Sequence, residues 1–126
     1  MADEPSLFEL AGGLPFFERV VAHFYDAVAR DPVLRPVYPD ADLAGAQRRL
    51  TLFLAQYWGG PRTYDEERGH PRLRMRHAPF SIGRRERDAW LARMRAAIAA
   101  AGPPPEVAAR LEAYIKMAAE AMRNRD

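Results

Sequence analysis

The residues best suited to chemistry lie in one stretch, 70–90, which contains two of the three histidines and one of the two tryptophans. His77 follows a short basic turn and stands two residues before Pro79. Because proline cannot continue a helix, this pattern presents His77 on a truncated helical turn. A neutral imidazole held in this way can ligate iron or another metal ion through one nitrogen, while a backbone carbonyl orients the other. The alternative is a surface or satisfied core histidine, so the rest of the chain must decide.

Composition limits the kinds of site that are open to the chain. Its 126 residues fit one domain, 1–126, and 48% hydrophobic with 29% charged residues is typical of a globular protein. Cysteine is absent, which excludes disulfides, iron–sulfur clusters, thiolate-bound zinc and a cysteine nucleophile. Any bound metal must therefore be held by histidine or carboxylate.

Charge and hydropathy suggest a location and the range of partners. No apolar run reaches the roughly 18–20 residues that span a bilayer, and the first four residues do not resemble a secretory signal. We therefore expect a cytoplasmic protein with no integral membrane segment. The net charge is only +2, but the basic excess is concentrated between Arg62 and Arg95. Such a face is either solvated or binds an anion or a nucleic acid.

The elements that must position these residues are all predicted to be helical. Apolar residues recur at helical spacing, with glycine, proline and capping residues between the runs. The predicted helices are 7–11, capped by Ser6 and ended by Gly12-Gly13; 15–30; a turn within 33–38; 43–58, capped by Asp42; 84–101, opened by Gly83 and Glu86; and 105–122. Residues 61–82 show no periodicity, so we expect them to lack regular structure and to be functional. The expected class is all-α, with two long helix pairs around one long loop.

Several ordered motifs resemble a group II truncated haemoglobin of the actinobacterial type. They cover nearly the whole chain: Gly12-Gly13, Phe24-Tyr25, Val37-Tyr38-Pro39, the 56–61 segment QYWGGP, the 69–80 segment GHPRLRMRHAPF and the 86–90 segment ERDAW. The resemblance implies a truncated globin fold, a two-over-two helical sandwich around haem b, with a long loop before a one-turn proximal helix. It makes His77 the proximal iron ligand. His70 and His23 match no ligand position, and we interpret both as surface or structural residues.

The resemblance also assigns residues to the distal side of the haem, opposite His77. Tyr25, Tyr38 and Trp90 would donate hydrogen bonds to bound oxygen, each worth about 1 kcal/mol or more. Aromatic residues at helical spacing are otherwise ordinary core residues. The other residues expected in this distal pocket are Phe24, Ala46 and Leu50. Ala46 stands where many haemoglobins have a distal histidine, and its methyl group can neither ligate iron nor donate. A small residue there leaves a side opening, unless Leu50 or Phe53 closes it.

The remaining expected contacts hold the cofactor itself. Arg49, Tyr64 and Arg76 are the candidates for binding the haem propionates. The residues expected to line the apolar haem faces are Phe53, Tyr57, Met75, Phe80, Met94 and Ile98. In a protein without cofactor, these apolar residues would simply form the core.

These assignments predict a haem protein with five-coordinate iron that binds oxygen and other diatomic ligands, NO and CO among them. Tight binding and slow release of oxygen favour nitric oxide dioxygenation or peroxide turnover, supported by a reductase. Fast release would instead indicate oxygen transport. Two alternatives stay open. One is a helical nucleic-acid-binding module that uses the basic face on phosphates. The aromatic residues fall on inward stripes, however, which favours a protein that does not bind nucleic acid. The other is a haem-free sensor or interaction domain. The sequence leaves oligomeric state open, including a homodimer.

Overall fold

A computed structural model describes residues 4–38, 43–69 and 81–125. Within these ranges the chain forms only helices and no strand, so the prediction of an all-α class is confirmed. The helices are α1 (Leu7–Ala11), α2 (Leu14–Val28), α3 (Leu43–Tyr57), α4 (Thr63–Arg68), α5 (Arg84–Ala101) and α6 (Pro105–Met122), with a 3₁₀ turn at Arg35–Val37. No helix in the described part of the chain is both long and apolar enough to cross a membrane.

The ends of α1 follow from local chemistry. The Ser6 hydroxyl accepts the backbone N–H of Glu9 at 3.2 Å, as expected of a capping serine. Gly12 ends the helix at φ 108°, a left-handed conformation that glycine adopts without a steric penalty. The short helix then lies against the end of α3, where a Cβ on Gly60 would come within 2.6 Å of the Phe8 ring.

Helix α2 is the centre of the packing. Its buried residues form one broad face: Phe16, Phe17, Val20, Val21, Phe24, Tyr25 and Val28. This face contacts both α3 and α5, and α5 in turn packs on α6. The result is the expected two-over-two arrangement of four main helices.

The prediction that 61–82 lacks regular structure is wrong for α4. Its anchor is Tyr64, which is buried with its ring centroid 5.7 Å from that of Phe53. The Gln56 amide then pairs with Asp65: Nε2 donates to the carboxylate at 2.9 Å, and Oε1 accepts the backbone N–H at 3.0 Å. A six-residue helix with one buried side chain leaves no periodicity to detect, and residues 70–80 lie outside the described residues.

The start of α5 is held by its own first turn and by the end of the chain. Glu86 accepts the backbone N–H of Gly83 at 2.7 Å, which satisfies one of the free donors of the first turn. The backbone N–H of Ile82 donates to Asn124 Oδ1 at 2.8 Å, and its carbonyl accepts the Asn124 N–H at 2.8 Å. These bonds fix where the helix that carries Trp90 begins.

Candidate ligand-binding cavity

A cavity of about 710 Å³ lies between α2, α3, α5 and α6. Its volume is within the range of about 300–1,000 Å³ that is typical of small-molecule and cofactor sites. The structure brings ten of the expected site residues together in its wall: Tyr25, Tyr38, Ala46, Arg49, Leu50, Phe53, Tyr64, Trp90, Met94 and Ile98.

Three polar aromatic side chains meet at one part of this wall. The Tyr25 and Tyr38 rings contact edge to face, and the side chains are hydrogen bonded. Tyr38 is also hydrogen bonded to Trp90. Because an indole has an N–H and no acceptor, Trp90 must be the donor in that bond. The three residues therefore form a connected set of donors, which we call the donor cluster (Tyr25, Tyr38, Trp90).

Both phenols in the donor cluster keep their protons at neutral pH. Burial raises the pKa of Tyr25 to about 12, against the smaller lowering effects of the hydrogen bond with Tyr38 and the charge of Arg49. Burial also raises the pKa of Tyr38 well above its ordinary value. The Tyr25 charge and hydrogen bond raise it further, and the Trp90 hydrogen bond opposes them. A protonated phenol retains an O–H that can be donated to a ligand.

Local structure explains how these side chains converge. Tyr25 lies on the inward face of α2, and Trp90 lies on α5, which packs against α2. Tyr38 directly follows the 3₁₀ turn, where its backbone carbonyl accepts a bond from Arg35 Nη1 at 2.5 Å. Pro36 is the second residue of this turn, and its fixed φ favours the bend that turns the chain here.

Phe24 supports the donor cluster without lining the cavity. It is fully buried, and its ring lies 5.1 Å from that of Tyr25 and 5.9 Å from that of Trp90. The expectation that Phe24 lies in the pocket is therefore corrected. It packs behind two of the donors, because consecutive residues on a helix point in directions about 100° apart.

Tyr57 also lies away from the cavity, contrary to expectation. It is 49% exposed, and its ring packs on Tyr114 at 4.5 Å and on Trp58 at 5.0 Å. Tyr57 has the right helical spacing to continue the α3 stripe, but it is the last residue of that helix. Beside Tyr57, the residue that lines the cavity is Tyr114 of α6.

The polar part of the wall includes cations. Arg49 lines the cavity and makes no hydrogen bond or ion pair with another described residue, while Ala46, half-buried, lines it one turn earlier. Arg68 and Arg87 also line it and were not expected to. Arg87 donates to Glu120 at 2.6 Å. In a sequence, arginines of this kind are normally interpreted as a solvated helix face. Only the three-dimensional packing shows that they line the cavity.

Helix α6 supplies a second set of cavity residues that the sequence did not single out. Leu111, Ile115 and Met122 have the helical spacing of an ordinary inward stripe, yet they line the cavity. Helical spacing cannot distinguish an inward stripe that faces other side chains from one that faces a cavity.

Four expected site residues, His77, Met75, Arg76 and Phe80, lie outside the described residues, as does His70. His23 is exposed on α2. Among the described residues no group of three or more His, Asp or Glu side chains could hold a metal ion. The cavity does fit a large apolar cofactor with an anionic edge, because apolar walls, a cationic part and a set of donors occur together.

Comparison with known proteins identifies the family. Residues 6–124 match the family described as bacterial-like globin. The chain is 40% identical over 112 residues to the group 2 truncated hemoglobin YjbI of Bacillus subtilis, over 89% of this chain and 84% of that protein. The hemoglobin of Chloroflexus aurantiacus superposes with a TM-score of 0.95 at 54% identity, over 97% of this chain and 100% of that one. A truncated oxygen-avid haemoglobin of Bacillus subtilis gives 0.89 at 38% identity, over 95% and 100%.

Globins bind diatomic gases such as oxygen, and the family implies a haem cofactor. The helical arrangement, the cavity and these similarities agree over nearly the whole chain. This protein belongs to the bacterial-like globin family, in its truncated two-over-two form, with group II truncated haemoglobins among its relatives.

Proposed function

We propose that the cavity binds haem b, with His77 as the proximal ligand of a five-coordinate iron, and that the protein holds oxygen tightly. The observation that supports this proposal is the donor cluster in the wall of an otherwise largely apolar cavity. When bound, haem supplies an iron with one open coordination position, where a diatomic ligand binds.

The walls of the cavity suit the two parts of that cofactor. Phe53, Met94 and Ile98 would contact the apolar porphyrin faces and exclude water from them. Arg49, Tyr64 and Arg76 would hold the propionates. Arg49 is well suited because no described carboxylate competes for its guanidinium, and arginine binds carboxylates through two parallel hydrogen bonds. Arg68 and Arg87 provide further positive charge at the same cavity.

The donor cluster would act on the gas ligand. Oxygen acquires partial negative charge on binding, so it would compete with the neighbouring side chains as acceptor for the Tyr38 and Tyr25 hydroxyls and the Trp90 N–H, and each hydrogen that turns to it would stabilise it. Each bond is worth about 1 kcal/mol, and more in a site without water. Both phenols keep their protons because burial raises their pKa values. A relative described as oxygen-avid has the same fold at 38% identity, which supports the inference of slow oxygen release.

Slow release makes bulk oxygen transport unsuitable and favours oxidation. The reaction we favour converts nitric oxide to nitrate: one NO, one O₂ and one electron give one NO₃⁻. The electron must come from a separate reductase, and the supply of reductant fits a cytoplasmic location. Peroxide turnover is the other oxidative reaction that protonated donors in a largely apolar pocket would support. Mixing the oxygenated protein with NO and measuring nitrate tests the first reaction directly.

The visible spectrum tests the haem assignment. We expect protein purified with added haemin to show a Soret band that shifts on reduction and CO binding, and the pyridine haemochrome to identify haem b. His77→Ala should lose or strongly alter this spectrum, whereas His23→Ala, at an exposed position, should not. Colourless protein, or a spectrum unchanged by His77→Ala, would contradict the proposal.

Oxygen release tests the role of the donor cluster. We expect Trp90→Phe to accelerate oxygen dissociation from the ferrous protein by about tenfold, the equivalent of one hydrogen bond of ~1.4 kcal/mol. Fast release in the original protein that Trp90→Phe leaves unchanged would rule out donor stabilisation and indicate a carrier.

A further inference from the structure

Asp31 is the only buried charged residue in the parts of the chain that the structure describes. It follows the end of α2, and its side chain is 6% exposed. Arg93 of α5, 62 residues later, donates from Nε to its Oδ2 at 2.8 Å. A buried carboxylate is retained only where a charge and hydrogen bonds compensate its desolvation. The pair therefore forms a specific bridge between the end of α2 and α5.

The same carboxylate also organises the corner after α2. Its Oδ1 accepts the backbone N–H groups of Val33 at 2.8 Å and Leu34 at 3.1 Å. The backbone carbonyl of Asp31 accepts the N–H of Arg35 at 2.9 Å. Asp31 thus fixes the backbone of the five residues from its own position to Arg35.

These bonds continue to Tyr38. The carbonyl of Arg35 accepts the Tyr38 N–H at 3.2 Å, and Arg35 Nη1 donates to the Tyr38 carbonyl. On the other side of the bridge, Arg93 lies three residues, about one helical turn, after Trp90 on the same helix. The bridge therefore joins the corner that carries Tyr38 to the turn of α5 that carries Trp90.

We propose that Asp31 and Arg93 are positioning residues that hold the Tyr38 phenol against the Trp90 indole. Neither residue lines the cavity, so both act through Tyr38 and not on the ligand. The consequence for gas binding rests on the function proposed above, but the placement of Tyr38 against Trp90 does not. The two parts can therefore be tested separately.

The chain contains a matched control for Arg93. Arg95 lies on the same helix, has a side chain 46% exposed against 47% for Arg93, and donates from Nε to Glu112 at 2.7 Å. That pair joins α5 to α6 and has no connection to Tyr38. Arg93→Gln and Arg95→Gln therefore remove equally exposed arginines from one helix, although Glu112 is 41% exposed where Asp31 is buried. Only the first should disturb the donor cluster.

The first readout is the indole N–H signal of Trp90 in the ¹⁵N-labelled protein as purified. Trp58 provides an internal reference, because its buried Nε1 has no hydrogen-bond partner among the described residues. We expect Arg93→Gln to move the Trp90 signal in the same direction as Tyr38→Phe, and Arg95→Gln to leave both indole signals in place. A Trp90 signal that Arg93→Gln does not move would overturn the proposal.

The second readout is oxygen dissociation from the haem-loaded ferrous protein. We expect Arg93→Gln to accelerate release by about three- to fivefold, part of the effect of losing one hydrogen bond, and to add nothing when Tyr38 is already phenylalanine. An equal acceleration in both backgrounds would show that the pair does not act through Tyr38. If Tyr38→Phe itself leaves release unchanged, the proposed function fails while the indole signal still tests the bridge. If Arg93→Gln does not fold, Arg93→Lys, which keeps the charge, should give a smaller change in the same direction.

Discussion

The phenol rings of Tyr25 and Tyr38 meet edge to face, with centroids 5.6 Å apart and planes inclined by 78°. Their side chains are also hydrogen bonded, so one hydroxyl hydrogen is shared within the pair. A phenol that donates to its neighbour has no second hydrogen for a ligand. The two tyrosines must therefore act as a unit, in which only part of the hydrogen-bonding capacity reaches the cavity.

This coupling predicts non-additive effects on oxygen release. We expect Tyr38→Phe to accelerate dissociation by about three- to tenfold, because the hydroxyl that links Tyr25 to Trp90 is lost and neither donor is then held in place for the ligand. In Tyr25→Phe, the Tyr38 hydroxyl becomes free to donate to the ligand, so a smaller acceleration or even slower release should follow. The rate constants of the two single variants and the double variant, measured by rapid mixing, check this. Effects that multiply independently would contradict a shared hydrogen.

Asp31 should make stability depend on pH in the acid range. The Arg93 hydrogen bond, helped by the backbone N–H groups of Val33 and Leu34, holds the pKa of Asp31 below its ordinary value of 3.8 in the folded protein, although burial opposes it. As pH falls, the unfolded chain takes up this proton first, so the stabilisation is complete above the unfolded pKa and is lost as pH falls through the folded one.

We therefore expect the difference in free energy of unfolding between the original protein and Asp31→Asn to be constant above about pH 5 and to shrink at lower pH. Urea unfolding at a series of pH values measures it. Asp26→Asn is the control, because Asp26 and its partner Arg30 are both mostly exposed and such pairs contribute little. An Asp31→Asn difference that grows as the pH is lowered would be the wrong sign.

Phe24 should matter more for stability than for direct ligand contact. It is fully buried against Tyr25 and Trp90, so Phe24→Ala should lower the free energy of unfolding by about 3–5 kcal/mol through the cavity that it creates. Phe24→Leu, which keeps most of the volume, should cost much less. Leu10→Ala, at a residue 39% exposed, provides the control and should have little effect. Chemical denaturation of the three variants distinguishes these outcomes.

Tyr57 is predicted to be dispensable for the cofactor and the gas. Because it is 49% exposed and lies outside the cavity wall, Tyr57→Phe should leave the visible spectrum and oxygen release unchanged. Tyr64→Phe is the informative comparison, since Tyr64 is buried, lines the cavity and is a proposed propionate contact. We expect faster loss of haem to apomyoglobin from Tyr64→Phe only. Equal haem loss from both variants would contradict the placement of Tyr57 outside the cavity wall.

Most of the helices could be predicted because their signals are local. Ser6, Gly12 and the proline-bounded turns mark helix ends within a few residues, and the α2 stripe repeats over four turns. Helix α4 could not be predicted, because its stability comes from Tyr64 on Phe53 and from Gln56 on Asp65, contacts with another helix. A short segment that folds only against a neighbour leaves no periodic pattern of its own.

The site residues also divide into those that sequence motifs predict and those that only the structure shows. Tyr25, Tyr38 and Trp90 were found through motifs in the sequence, and the structure brings them together. The part that α6 plays in the cavity was not found, since Leu111 and Ile115 have the spacing of any buried stripe. Asp31 is, in the sequence, only the residue that follows the predicted helix 15–30. Its partner Arg93 lies 62 residues away, and no local pattern reveals such a pairing.

The two tryptophans differ in their surroundings, and this gives the protein two optical labels. Trp90 donates to Tyr38, whereas Trp58 has a buried indole N–H with no acceptor among the described residues and packs beside Tyr114 at 5.4 Å. An indole that is screened from solvent and has no acceptor should emit at shorter wavelength. The blue edge of the fluorescence spectrum would then report on the outer end of α3, and the red edge on the donor cluster. In haem-free protein, a single emission scan could follow the surroundings of both tryptophans as the chain unfolds.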